Sequence, residues 1–549
     1  MILRASRIQR TLKTSFPCRL SRTKATVGDK PYYLTTPIFY PNAAPHIGHL
    51  YTLVVGDIHA RFKRLLYPKR PVLFLAGTDE HGLKIQTAAH AKGLEPKQFC
   101  DQLSARFRKL AEHAQISHTC FMRTSSEGHH NAVKDVWRKL DSQGLIYKGN
   151  YSGWYSVTDE CFYTEAQVFK VSENGLSKTI SVETGSSVEW QEETNYMFRL
   201  SQLQPALLDH YKTAANGSII FPPHHQSHII DVLSQPLADL SISRPRSRLS
   251  WGVPVPTDPD QTVYVWFDAL LVYLSGLGYP WKAAAGQLSL ATGWPVDLQV
   301  IGKDILRFHA IYFPAMLLAL GLPLPRRLLA HAHWTVEQKK MSKSLGNVVD
   351  PFEAIDEYGV DVVRYYLARV GGRFRDDVDW SKVQLNKHSK EIQSLLGNFL
   401  LRITSKRIQD AMTGAPPDLT LEDVSRDATS PNSSVIEALH SLADDAGSRL
   451  EQMEVADAIE QIVDILRQAN KAVTDVAPWK PSTTPEVAYA SYMTSIETLR
   501  VVGICLQPFA PSVAWRLLEV LKIPVGERDW ENARVIRSRV SMVEGVKLF

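Results

Sequence analysis

Cysteine is scarce. The 549 residues contain five, Cys18, Cys100, Cys120, Cys161 and Cys505, and no two are spaced as C-x-x-C. Thiols scattered in this way supply neither a disulfide framework nor a zinc ribbon, whose tetrahedral site needs four clustered ligands. Long apolar runs are missing as well. The nearest, Ala310 to Pro325, is broken by prolines and is shorter than the roughly 20 apolar residues that span a bilayer, so no membrane anchor is expected. A surplus of one charge is also lacking in most of the chain. The formal net charge is +5, but residues 1–28 hold Arg4, Arg7, Arg10, Lys13, Arg19, Arg22 and Lys24 and no acid. Without those seven, 62 basic side chains fall to 55, against 57 acidic ones. The body is near neutral, which excludes nucleic-acid binding by bulk charge; any RNA must be met by local patches.

The composition, 44% hydrophobic and 22% charged, is that of a globular protein, and the length predicts about three or four domains. The basic N-terminal segment is rich in Arg, Ser and Thr and places Ile8, Leu12 and Phe16 on one helical stripe, without the apolar block of a secretory signal. Residues 1–28 therefore read as a transit peptide, with the mitochondrial matrix as destination.

Tyr32 to Tyr40 is β-branched and aromatic and predicts a strand. Leu50 to Leu66, with Leu50, Leu53, Val54, Ile58 and Phe62 on one face, predicts an amphipathic helix. Between them lies Pro45-His46-Ile47-Gly48-His49, so two histidines three apart stand at a helix N-terminus directly after a strand. There backbone N–H groups and the helix dipole favour a phosphate, each imidazole can add a donor, and Gly48 leaves room for a ring or a ribose. H-x-G-H alone is a short pattern that recurs by chance. Its weight comes from a second element, Lys340-Met341-Ser342-Lys343-Ser344, two lysines three apart in a polar segment. Such a loop standing alone would read as a solvated face.

Val72 to Ala76 reads as a buried parallel strand ending in Gly77-Thr78-Asp79-Glu80-His81-Gly82. Asp79, at its carboxyl end, faces a crevice or caps the next helix. Helices are predicted around Lys97 to His113 and His129 to Ser142. From about 144 to 250 short alternating runs suggest a β-containing insertion, in which Cys161 is the only cysteine and His224, His225 and His228 read as surface residues of a loop. The α/β pattern resumes with Trp251-Gly252-Val253-Pro254, Tyr264 to Leu270 and Val300 to Ile305, leading to a helix with His309 and Phe313. From about residue 383 the pattern is helical, interrupted by a polar loop near 413–434. Leu395, Leu396, Phe399, Leu400 and Ile403 form one helical face, while Asn398 and Arg402 share another.

The motifs TTPIFYPN with PHIGH, GTDEHG, WGVPVP, VWFDAL, IGKD, KMSKSLGNVVDP, YGVDVVRYYL, GNFLLR and APW stand in this order, and any one could be accidental. Together they make the chain resemble the class I methionyl-tRNA synthetases, the mitochondrial members in particular, over about residues 31–549. The resemblance implies an α/β fold: a Rossmann-type parallel-sheet catalytic domain (29–382) with an inserted connective peptide, then an all-α helix-bundle anticodon-binding domain (383–549). It implies ATP-dependent attachment of methionine to tRNA(Met) through a methionyl-adenylate. His46, Gly48, His49, Lys340, Ser342 and Lys343 would bind ATP, and the two histidines and two lysines would serve catalysis. Ile38, Tyr40, Asp79, Trp266, Ala269, Tyr273, Ile305 and His309 would line the methionine pocket, with Asn398, Arg402 and Trp479 at the anticodon. Aromatic walls suit a soft thioether and Asp79 suits an ammonium.

ATP with Mg²⁺ is the expected cofactor, and the connective peptide lacks the cysteines for the zinc knuckle of many relatives, so no zinc is expected. Gln338 replaces a glycine common before the lysine loop, and Phe313 stands where a tryptophan often lines the pocket. The stretch after Trp479 leaves no room in this sequence for the further tRNA-binding domain that some relatives append, so a monomer is expected. The alternatives are a class I synthetase of the leucine, isoleucine, valine or cysteine group, for whose editing domain the insertion is short, and a non-catalytic RNA-binding protein with a synthetase fold.

Overall fold

The computed structural model describes residues 30–157, 161–173, 176–213, 217–281, 293–341 and 346–549. The segment 1–28 and the loop residues Ser342 and Lys343 lie outside the described residues. Six parallel strands form the central sheet: β1 (Tyr32–Phe39), β2 (Val72–Thr78), β3 (Cys120–Arg123), β4 (Ile220–Phe221), β5 (Leu298–Gly302) and β6 (Leu328–His331). Their order is β3-β2-β1-β5-β6-β4, with every neighbouring pair parallel. β2 lies on one side of β1 and β5 on the other, so the order reverses between β1 and β5. A crevice opens beyond the carboxyl ends of strands at such a switch point.

Helix α1 (Ile47–Leu66) leaves β1 at that crevice. The stripe Leu50, Leu53, Val54, Ile58 and Phe62 is wholly buried, as expected. The helix is, however, buried on more than one face: Tyr51, Val55, Asp57 and His59 are also shielded. Helices from the C-terminal half cover its outer side. Asp57 meets the Arg364 guanidinium at 2.6 Å, Lys63 pairs with Glu451, and the Trp530 ring packs edge-on against Phe62 at 4.8 Å. Arg364 also donates to the carbonyls of Pro508 and Ala114 at 2.9 and 3.2 Å.

Two apolar cores flank the sheet. One joins α1 to the C-terminal helices; the other gathers Trp137, Phe267, Tyr273, Trp294 and Phe313. Helices α2 (Glu127–Ser142) and α3 (Val265–Leu270) bound the second core. The stretch read as an insertion forms an antiparallel sheet of Ile146–Ser156, Cys161–Tyr163, Glu189–Phe198 and Leu240–Ser241, with the hairpin Val168–Glu173/Leu176–Ser181. From within it Ile220–Phe221 returns to the central sheet as edge strand β4. Arg244 ties this region to the segment entering α3, its guanidinium lying 4.8 and 4.4 Å from the Phe162 and Tyr264 rings.

Local chemistry corrects two expectations. His224, His225 and His228 lie in the helix Pro223–Leu233 rather than in a loop. Proline at the first helical position has no N–H to lose and carries a φ suited to helix. The polar stretch 413–434 contains the short helix Leu421–Arg426, started by a Thr420–Asp423 capping box, and the first turn of the helix Pro431–Glu451. C-terminal to the sheet run α4 (Val360–Gly371), α5 (Pro431–Glu451), α6 (Val455–Val476) and α7 (Pro485–Leu506). The last three pack side by side as the helical bundle expected from the sequence.

Candidate active site

A cleft of about 1210 Å³ opens at the switch point. His46 caps α1, and its Nδ1 accepts the Gly48 N–H at 3.1 Å, while the His46 N–H donates to His49 Nδ1 at 3.0 Å. A nitrogen that accepts carries no proton, so this hydrogen-bond pattern assigns each ring its proton on Nε2. The rings lie 3.8 Å apart, and His49 is braced edge-on by Phe39 and Phe107, each at 5.1 Å. Burial, then the neighbouring His46, hold His49 well below the ordinary histidine range, so it is a neutral donor. Gly48 has a local reason in addition to the expected one. A Cβ there would stand 2.9 Å from His46 Cε1, so glycine lets the capping ring fold over the helix end.

The other end of the cleft gathers Ile38, Tyr40, Asp79, Trp266, Ala269, Tyr273, Ile305 and His309, all eight residues expected there. Asp79 caps no helix; its backbone N–H donates to Phe39 O at 2.9 Å, and the next helix starts after Gly82 without a side-chain cap. Trp266 stacks on Phe308 with centroids 3.7 Å apart and planes at 13°. His309 lies in a π-turn, Phe308–Tyr312. Its Nδ1–H donates to Ile305 O at 3.0 Å, so Nε2 accepts the Tyr273 hydroxyl at 2.7 Å. Burial lowers His309 to about 4, keeping it neutral. These eight residues offer a ligand chiefly apolar and aromatic surface, with Asp79 as the carboxylate among them. Phe313 does not line it. It is fully buried behind Tyr273, 5.4 Å away, because the Trp294 ring fills the space beyond it.

Lys340 lies in a two-residue hairpin, Trp334–Val336 with Lys339–Lys340, and stands 3.8 Å from Asp304 Oδ2. Glu337 and Gln338 at its turn both have positive φ, +52° and +59°. Gln338 is held there by its N–H donating to Asp379 Oδ1 at 2.9 Å. The expected glycine thus has a reason: the position is left-handed. Sequence reading missed several cleft residues. Phe308, Lys84, Asp304, His331 and His333 line the cleft. His333 Nε2 lies 3.0 Å from Asp304 Oδ1, and Thr52 Oγ1 lies 2.8 Å from His331 Nε2. The recess penalises the Asp304 charge, but His333 and Lys340 outweigh this and hold its carboxyl below the usual range. Phe308 adjoins His309 in sequence, yet nothing there distinguishes a ring that stacks on Trp266 from a core ring. The tip of the insertion, Glu183 to Ser186, with Phe162 and Tyr163, forms a further wall.

A family model described as tRNA synthetases class I (M) matches residues 32–404. The chain belongs to the methionyl-tRNA synthetase family. This bears out the resemblance read from the motifs and the α/β class with a helical region behind it, and makes the chain a methionine–tRNA ligase by family. A second model, the anticodon binding domain of methionyl tRNA ligase, matches residues 425–548. Probable mitochondrial methionine–tRNA ligase of Neurospora crassa is 42% identical over 542 residues, covering 96% of this chain and 85% of the relative. The mitochondrial methionine–tRNA ligase of Homo sapiens is 41% identical over 511 residues, covering 90% and 85%. Among solved structures, Mycobacterium tuberculosis methionyl-tRNA synthetase bound by methionyl-adenylate superposes with TM-score 0.85 at 36% identity, covering 95% of this chain and 100% of that one.

The residues expected at the anticodon lie far along the chain from the cleft. Asn398, at the end of a second π-turn, Gln393–Asn398, is exposed. Arg402 is half-buried and leans on α6, donating to Asn470 O at 3.0 Å and Thr474 Oγ1 at 3.3 Å. Trp479 follows the end of α6, where Ala477 takes φ +47°. Its ring is half-buried against the bundle rather than standing clear.

Proposed function

We propose that this chain joins methionine to ATP as methionyl-adenylate, then passes the methionyl group to the 3′-terminal adenosine of tRNA(Met), inside the mitochondrial matrix and as a monomer. The observation that carries the reading is the placement of two neutral Nε2–H donors at a helix N-terminus, across one cleft from an aromatic pocket closed by a carboxylate. The methionine carboxylate is itself the nucleophile, attacking the α-phosphate as pyrophosphate leaves, so no covalent bond to the enzyme is needed. Its work is positioning and charge stabilisation. His46 and His49 donate to phosphate oxygens, Gly48 admits the nucleoside, and Lys340, Ser342 and Lys343 meet the departing pyrophosphate. Asp79 pairs with the ammonium. The thioether lies among Tyr40, Trp266, Tyr273 and His309, held by dispersion, with Ile38, Ala269 and Ile305 completing the wall.

Mg²⁺ enters with the ATP phosphates in this reading: among the described residues no group of three His, Cys, Asp or Glu is placed to hold an ion. No zinc is proposed, because Cys161 is the only cysteine of the insertion. Asn398, Arg402 and Trp479 read the anticodon from the helical domain, taken as 383–549. An ATP–pyrophosphate exchange assay with each amino acid tests the reading. Exchange with methionine alone supports it; exchange with leucine, isoleucine, valine or cysteine, or none at all, overturns it.

A further inference from the structure

Behind the pocket lies a polar cluster that the chemistry above does not use. Asp268, on α3, has no exposed surface. Its Oδ1 lies 2.7 Å from His129 Nε2 and its Oδ2 lies 2.5 Å from His81 Nδ1. A carboxylate only accepts, so both rings present N–H to it. His81 is then protonated on Nδ1, while its Nε2 lies 3.4 Å from His130 Nε2. His129 Nδ1 lies 2.8 Å from Ser275 Oγ. None of Asp268, His81 and His129 lines the cleft, yet residues close to the first two in the chain do. Asp268 follows Trp266 by two residues and adjoins Ala269; His81 follows Asp79 by two.

We infer that Asp268, gripped by His81 and His129, is a positioning residue for amino-acid recognition: it locks the turn carrying Asp79 to the helix carrying Trp266 and to α2. A buried carboxylate is a poor way to gain stability, because its desolvation rivals what its partners return, and apolar residues of the same volume would serve packing as well. What such a carboxylate adds is direction. Its two oxygens accept along set lines, which fixes where the ammonium partner Asp79 stands relative to the Trp266 wall. The inference rests on the reading of this pocket as the methionine site.

The test uses the full chain and methionine-dependent ATP–pyrophosphate exchange. Asp268→Asn keeps the shape but has one accepting oxygen, so one ring loses its partner. The methionine KM is expected to rise about ten- to a hundredfold, what a hydrogen bond to a charged group contributes, with little change in the ATP KM. If this variant fails to fold, a His81 pair decides. Asparagine places an N–H where His81 Nδ1 stands, so His81→Asn is expected to recover most of the methionine affinity that His81→Leu loses. Equal losses in the two His81 variants, or a lowered melting temperature with the methionine KM unmoved, overturns the inference. Asp79→Asn is the control: if it too leaves the methionine KM unmoved, the pocket reading has failed instead.

Discussion

At the scale of single residues, His46 and His49 each have two tasks on two nitrogens. Nδ1 accepts a backbone N–H at the start of α1, and Nε2–H is the donor to a phosphate oxygen in the proposed reaction. The tasks are separable. His46→Asn retains a good N-cap acceptor but has no donor at the Nε2 position. The adenylation rate is expected to fall about 10²–10³-fold, as when one stabilising donor is lost, with the melting temperature little changed. Pre-steady-state adenylation and thermal unfolding check this together, and an early-melting variant would show that capping was its main task.

At the scale of elements, the Trp334–Lys340 hairpin and the end of α6 behave differently. The hairpin turn keeps two residues with side chains in the left-handed region, which costs about 1 kcal/mol or more each. Gln338→Gly is expected to relieve roughly 1 kcal/mol of that, seen as slower hydrogen exchange across the hairpin; faster exchange would mean that the Asp379 contact already offsets the strain. Trp479 is half-buried, so its ring both packs and presents a face. Trp479→Ala is expected to lower tRNA charging about 10–100-fold, the equivalent of one base stack, to lower the melting temperature modestly, and to spare ATP–pyrophosphate exchange. Loss of exchange as well would assign the ring to packing alone.

At the scale of the whole molecule, stability is tied to charges buried where the C-terminal helices cover α1. Asp57 and Arg364 have almost no exposed surface. Arg364→Leu leaves the Asp57 carboxylate to Arg61 and Ser117 alone and is expected to destabilise by up to about 3 kcal/mol. Asp57→Leu with Arg364→Leu is expected to recover much of this, measured by chemical denaturation. The pH dependence follows from groups that burial or partners shift. His309 and His331 are lowered to about 4 and His59 to about 3, burial being the first cause in each. Unfolded histidines titrate near 6.5 and so bind protons first. Burial opposes the Asp57 charge, but Arg364, Arg61 and Ser117 outweigh it and hold its carboxyl below the ordinary range. The two classes act in one direction. Stability is full above about pH 6.5, falls as the pH drops toward 4 with the histidines, and falls further below the ordinary carboxylate range. Melting temperatures from pH 8 to pH 4 check this; a maximum near pH 5 would contradict it.

Sequence alone settled the order of elements and the family, because period-2 and period-3.6 patterns and the spaced motifs are local and survive without a partner. The eight residues it offered for a methionine pocket, through motif resemblance rather than periodicity, all line one cleft. Other features depended on tertiary structure. α1 reads as amphipathic, yet it is buried on several faces, since the helices covering its outer side come from hundreds of residues away. Phe313 sits behind the pocket and Phe308 stacks within it, although both read as apolar residues of one helix; a π-turn between them decides which faces the cleft. The Asp268–His81–His129 cluster joins two motifs and a helix that are silent about one another. Polar groups far apart in the chain acquire a shared purpose only when folding removes the water that would otherwise serve each of them.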